Sequence, residues 1–111
     1  MSKKEMKEER NNEIKAIIKT PDMSYGHTTR IQNDLKTLQK CIDGFIESVT
    51  LKNGVVILCD RDGLSSLKRY NCNVEGVQFF GTILAVGAQE DEFADIQITF
   101  QEWKDMLIKH K

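Results

Sequence analysis

FIESVTLKNGVVILCD, residues 45–60, is the stretch on which the fold turns. Two β-rich runs, Phe45–Leu51 and Val55–Asp60, flank Asn53-Gly54. A two-residue type I′ turn needs positive φ at both central positions, and Asn-Gly meets that need at low cost. The stretch therefore predicts a β-hairpin. In that register Leu51 faces Val56 and Val49 faces Leu58, so these four side chains share one apolar face. Val55, Ile57 and Cys59 point the other way, beside Lys52, Thr50 and Ser48. Glu47 falls opposite Asp60, where like charges repel, so the pairing is expected to fray or bulge there.

Upstream, EIKAIIK (13–19) is short and apolar and precedes Pro21. Proline disfavours a helical Thr20, so this run reads as a strand. Residues 20–30 are polar and hold Gly26, a loop with an extended piece near Thr28–Ile31. Asn33 or Asp34 can cap a helix by accepting an orphaned backbone N–H. Leu35, Leu38 and Ile42 follow at helical spacing, and Gly44 is placed to end the helix where positive φ is tolerated.

Downstream, Asp62-Gly63 marks a second turn, Leu64 and Leu67 a short irregular segment, and Tyr70–Val74 reads as loop. Val77–Val86 is the last long β-like run, with Gly81 marking a bulge or a close backbone approach. Gly87–Asp95 reads as an acidic loop. Thr99-Phe100-Gln101-Glu102 has the T-x-x-E form of a capping box. It opens a terminal helix with Phe100, Trp103, Met106 and Leu107 on one face and Lys109 and Lys111 near its negative end.

The expected fold is α+β, a single small domain over 13–111 with a mixed β-sheet and two helices, approximately β-α-β-β-β-α. Both helices are expected on one sheet face, with Trp103 joining Leu35 and Leu38 in one core. The first strand, helix and second strand would make a split or direct βαβ crossover, right-handed if parallel. Residues 1–12 hold only Met1 and Met6 as apolar side chains, so they read as a charged, flexible N-terminal tail.

Composition narrows the function classes. The 111 residues are 40% hydrophobic and 30% charged, enough for one core. Sixteen basic against seventeen acidic residues argue against a generic nucleic-acid binder and against a strongly acidic DNA mimic. Cys41, Cys59 and Cys72 form no CxxC pair, which points to reduced thiols in a cytoplasm. Cys59 reads as a small buried hydrophobe, and Cys72, between Asn71 and Asn73, as the most exposed of the three. The basic N-terminus lacks an apolar stretch behind it, and no window reaches the length of a membrane span. A cytoplasmic protein without membrane contact is expected.

The catalytic templates do not match. No GxxxxGK[ST], GxGxxG or GxSxG is present. His27 and His110 are far apart and have no cysteine pair to join them in a zinc site. Asp60-Arg61-Asp62-Gly63 has the opening of a calcium loop, but no glutamate follows before Glu75, so it reads as a turn. No enzyme activity, cofactor or metal is expected. Residues 90–105 hold six acids against one base, a net charge of −5. Glu90, Asp91, Glu92 and Asp95 are the densest part: a solvated loop ahead of a helix N-terminus, a patch for a basic partner, or a divalent-metal site. With Phe93, Arg69 and Tyr70 they are the candidate partner-binding residues. Phe93 either pins the loop to the core or is offered to the partner.

The order of segments matters more than any one of them. IKAIIKTP, LxxLQ (Leu35–Gln39), GFIESVTL, NGVVILCDRDG, GLSSL, Asn71, GTILAVG and EDEFADI follow one another along residues 14–103. In this the chain resembles the bacterial domain of unknown function 3846 family. The family's segment after the acidic-glycine turn commonly reads L-P-x-N; here Leu67-Lys68-Arg69-Tyr70-Asn71 is longer and lacks the proline. The resemblance implies an accessory protein of phages, plasmids or conjugative elements with no established enzymatic activity. It further implies a non-enzymatic interaction protein that binds a host or defence-system protein as an inhibitor. The alternative is a small-molecule or nucleotide-binding domain, with the polar loops 20–30, 60–76 and 87–95 converging at one end of the sheet. A nucleic-acid contact through Arg10, Lys15, Lys19 and Arg30 is disfavoured by the near-neutral charge.

Overall fold

The computed structural model describes residues 12–109. The charged stretch up to residue 11, the side chains of Ile108 and Lys109, and His110 and Lys111 lie outside the described residues. EIKAIIK forms β1 (Glu13–Lys19), and its apolar positions fall mostly inside. β2 (His27–Gln32) and helix α1 (Leu35–Ile42) follow, then β3 (Ile46–Thr50) and β4 (Val56–Asp60). Next come β5 (Tyr70–Val74), β6 (Val77–Phe80), β7 (Ile83–Gln89), β8 (Glu92–Ala94) and helix α2 (Phe100–Lys109). Tyr70–Val74 is therefore a strand, not a loop. The long run Val77–Val86 is broken into β6 and β7 at Gly81, which takes a φ of +80° that other residues rarely adopt.

The class is α+β, as expected. The main sheet has the order β2-β1-β7-β4-β3, with β8 added against the far half of β7, and β5–β6 form a separate hairpin. Every pairing among the described residues is antiparallel. Followed across the sheet, those pairings leave β2 and β3 running in the same direction at opposite edges. The expected crossover from β1 is corrected, because β1 and β3 run in opposite directions; the strands that α1 joins in parallel are β2 and β3, with β1, β7 and β4 between them.

Apolar alternation runs on both faces of the central strands. All five residues of β4 are buried, the mark of a strand covered on both sides. One core lies under α1 and contains Ile14, Ala16, Leu38, Ile42, Leu58 and Leu84. The other lies under α2 and the β5–β6 hairpin and contains Ile17, Ile57, Val74, Phe79, Trp103 and Leu107. The expectation of both helices on one face is corrected: Trp103 and Leu38 belong to different cores, and Leu35 is 64% exposed.

The hairpin at Asn53-Gly54 exists, but its register is shifted by one residue. Thr50 pairs with Val56, Val49 with Ile57 and Ser48 with Leu58. The Gly54 N–H donates to the Leu51 carbonyl at 3.0 Å, and the Leu51 N–H to the Val55 carbonyl at 2.8 Å. Only Gly54 has positive φ (+88°), so the connection is a three-residue loop with a glycine bulge and not a type I′ turn. A one-residue slip exchanges every face partner. Val49 and Leu51 accordingly join Val55 and Ile57 in the α2-side core, and Glu47 faces Cys59 instead of Asp60.

The helix ends follow local chemistry. The Asp34 carboxylate accepts the Thr37 N–H at 2.8 Å. Asp43, in the left-handed region, ends α1 in place of Gly44. At α2 the capping box closes in both directions: the Thr99 N–H donates to Glu102 Oε1 at 2.9 Å and the Glu102 N–H to Thr99 Oγ1 at 3.1 Å.

Candidate functional site

The polar loops sort to opposite ends of the sheet. Lys19 pairs with Ile83, and Leu58 with Leu84, so the segments after β1 and β4 lie at the start of β7. The acidic segment lies at its finish. Seven residues of β7, about 20 Å of strand, separate the two. Arg69 and Tyr70 are therefore not brought together with Glu90–Asp95, and the three loops do not converge.

The acidic segment is itself a hairpin. Gln89 pairs with Glu92, and Glu90 (φ 50°) and Asp91 (φ 68°) make a two-residue turn in the left-handed region. This is type I′ geometry built from residues that favour it less than Asn-Gly. Phe93 is half-buried against the α1-side core, and its carbonyl accepts the Asn33 side-chain N–H at 3.0 Å. Phe93 thus pins the hairpin. Asp95 is structural as well: its carboxylate accepts the Lys15 N–H at 2.7 Å, and the following Ile96 N–H donates to the Lys15 carbonyl. Between β8 and the start of β1 lies an open cleft of about 620 Å³. Its wall carries Glu13, Glu90, Glu92 and Asp95 against one cation, Arg30.

Relieving the turn strain tests this geometry. A Glu90→Asn, Asp91→Gly double change should stabilise the protein by about 1 kcal/mol, because both positions then tolerate positive φ. The urea midpoint measures it, and a lower midpoint would show that the carboxylates hold the hairpin.

The Gly81 end is built around a buried lysine, Lys19, read from the sequence only as a disfavoured nucleic-acid contact, and a partly buried one, Lys68. Lys19 is 3% exposed, and its ammonium donates to Asn71 Oδ1 at 2.6 Å. The Asn71 amide in turn donates to the carbonyls of Lys19 and Gly81, both at 2.8 Å. Burial pushes Lys19 below its ordinary value, with Cys72 and Asp22 opposing. Asn71 is therefore a core residue, unlike its exposed neighbours Arg69 and Tyr70. Lys68 ties the 61–69 segment down. Its ammonium contacts Asp60 Oδ2 at 2.8 Å, the Ile42 carbonyl at 3.2 Å and the Asp43 carbonyl. Burial alone would raise Asp60, but hydrogen bonds from Lys68 and the Asp62 N–H, with the Lys68 charge, hold it below its ordinary value. Asp60 is thus the anchor of the turn.

The same end displays apolar surface. Phe45, Leu64, Leu67 and Tyr70 are exposed, Leu67 by 89% and with a φ of 59°. The Arg61 guanidinium lies 5.5 Å from the Phe45 ring centroid, and Tyr70 meets Phe80 edge-on at 5.6 Å. A groove of about 170 Å³ opens between β3 and β6, lined in part by Val49, Leu64, Val77 and Phe79.

A family model described as a domain of unknown function, DUF3846, matches residues 14–108. The chain belongs to the DUF3846 family. No curated protein matches the chain, and no solved structure does. Cys72, expected as the most exposed of the three cysteines, is only partly exposed in this DUF3846 protein, as Cys41 is. Cys72 is half-buried against the α2-side core, and burial pushes its thiol, like that of Cys59, up to about 11. His27 is exposed at the start of β2, with its Nδ1 3.2 Å from the Thr28 carbonyl. No helix among the described residues is long and apolar enough to cross a membrane.

Proposed function

We propose that this DUF3846 protein is a non-enzymatic binding module that presents the Gly81 end of its sheet to another protein. The observation that carries the reading is Leu67. A leucine gains nothing from standing in solvent, and its left-handed backbone adds strain, yet the Lys68 clamp next to it fixes the segment. Leu64, Phe45 and Tyr70 surround the same end, and clustered exposed apolar and aromatic side chains mark interaction sites. The shielded thiols of Cys59 and Cys72 support a non-enzymatic reading. The resemblance extends it: an accessory protein of a bacterial mobile element, acting in the cytoplasm as inhibitor of a host or defence-system protein.

The acidic hairpin is a second surface for a basic partner, favoured by its four-carboxylate cleft. That charge disfavours the nucleotide-binding alternative, because phosphates are repelled there. Pull-down from host lysate, repeated with variants, separates the surfaces. A Leu67→Asp, Tyr70→Ala double variant should lose the captured protein by at least about tenfold. An Asp91→Lys, Glu92→Lys variant should retain the protein and only slow its association at low salt. Loss in the hairpin variant alone would move the interface to the acidic end; unchanged capture in both would overturn the reading.

A further inference from the structure

β3 is one of the two edges of the main sheet. The Arg61 N–H donates to the Phe45 carbonyl and the Leu51 N–H to the Val55 carbonyl, so Phe45, Glu47, Val49 and Leu51 turn their backbone groups toward β4. Ile46, Ser48 and Thr50 consequently direct their N–H and C=O groups outward, and among the described residues no backbone group pairs with them. Natural edges are blunted with lysine, proline, a bulge or a cover. Phe45–Leu51 has none of these among the described residues. It holds one charge, Glu47, in a run of otherwise β-favouring or small residues. The opposite edge, β2, carries Arg30 and His27.

A strand is the partner that pairs all of these outward groups at once, and its register decides which strand fits. Outward-facing residues must meet outward-facing residues. A two-fold axis at Ser48 satisfies this for a second copy run antiparallel: Ser48 meets Ser48, and Ile46 meets Thr50 twice. All three outward residues are then used in both copies, with six backbone bonds formed. β-Branched Ile46 lies against β-branched Thr50, a favourable cross-strand pair, and the central hydroxyls meet. Both copies keep their α1 side on the same face, because the pairing preserves side-chain parity. Glu47 falls opposite Val49, and the two Glu47 carboxylates are staggered diagonally instead of opposed.

We propose that β3 pairs with β3 of a second copy, joining two main sheets into one across a two-fold axis at Ser48. Light-scattering mass of the full chain across a concentration series tests it. The mass should rise from the 12.7 kDa of one chain toward twice that value. Ser48→Pro removes only an outward N–H, which an edge position tolerates, and should leave a folded monomer. Ser48→Lys sets two ammonium groups face to face and should weaken the dimer at least about tenfold, so it carries the test should the proline variant not fold. Glu47→Gln removes the diagonal repulsion and should tighten the dimer about two- to fivefold. A wild-type mass that stays at one chain overturns the proposal. So does a dimer indifferent to Ser48→Lys, which would place the contact elsewhere, for example at the apolar Gly81 end. A dimer weakened by Glu47→Gln would overturn the register.

Discussion

Trp103→Ala should destabilise the protein by about 3–5 kcal/mol, the cost of truncating a large core side chain. The ring is fully buried in the α2-side core with Ile17, Ile57, Val74 and Phe79. Its indole N–H also donates to the Tyr25 carbonyl at 2.7 Å, which ties α2 to the β1–β2 loop. Losing that donor adds about 1 kcal/mol if the carbonyl finds no water. Trp103→Phe keeps most of the packing and loses the bond, so it should cost less than half as much. Urea unfolding followed by circular dichroism measures both. An alanine variant with unchanged midpoint would show that α2 is not a core element.

Lys68→Ala has the second largest expected effect, roughly 3 kcal/mol, at the lower end for breaking a buried ion pair. The Asp60 side chain is 5% exposed, and without Lys68 its one remaining hydrogen-bond donor among the described residues is the Asp62 N–H, at 2.9 Å. The Ile42 and Asp43 carbonyls at the end of α1 lose their donor as well. Asp60 is held below its ordinary value in the folded protein. Its contribution is therefore present above the unfolded value, about 3.9, and is lost as pH falls through the lower folded value. The wild-type protein should lose stability on the acid side of about pH 4, and Lys68→Ala should lose less over that window. Parallel acid profiles for the two would separate Asp60 from the ammonium. Because Lys68 fixes the segment bearing Leu64, Leu67 and Tyr70, its loss should also loosen the proposed binding end.

Short-range features were legible along the chain because neighbours a few residues apart create them. Asp34 caps α1 and Thr99-Glu102 closes its box through bonds spanning three residues. The apolar run before Pro21 was enough to mark β1. The hairpin was visible too, but its register depended on whether Asn53 joins Gly54 at positive φ, a difference of one torsion that composition does not reveal. VILC in β4 shows both faces to be apolar, yet which helix covers which face depends on β7 lying between β1 and β4.

The Gly81 end was the least legible. Lys19 and Asn71 are 52 residues apart, and so are their hydrogen bonds. Asp60 read as part of a turn and Lys68 as one residue of the segment before Asn71, and their pairing exists only because the strand end, the turn and α1 enclose them. Arg69 and Tyr70 could be flagged as interface types but not placed, and they lie a full strand length from Glu90 and Asp91. Hydrophobic period and capping chemistry act over a turn or a strand, so residue order alone dictates them. Strand order, register and the enclosure of a charge are settled by contacts between distant segments, whose energies are comparable among alternatives until the whole core has formed.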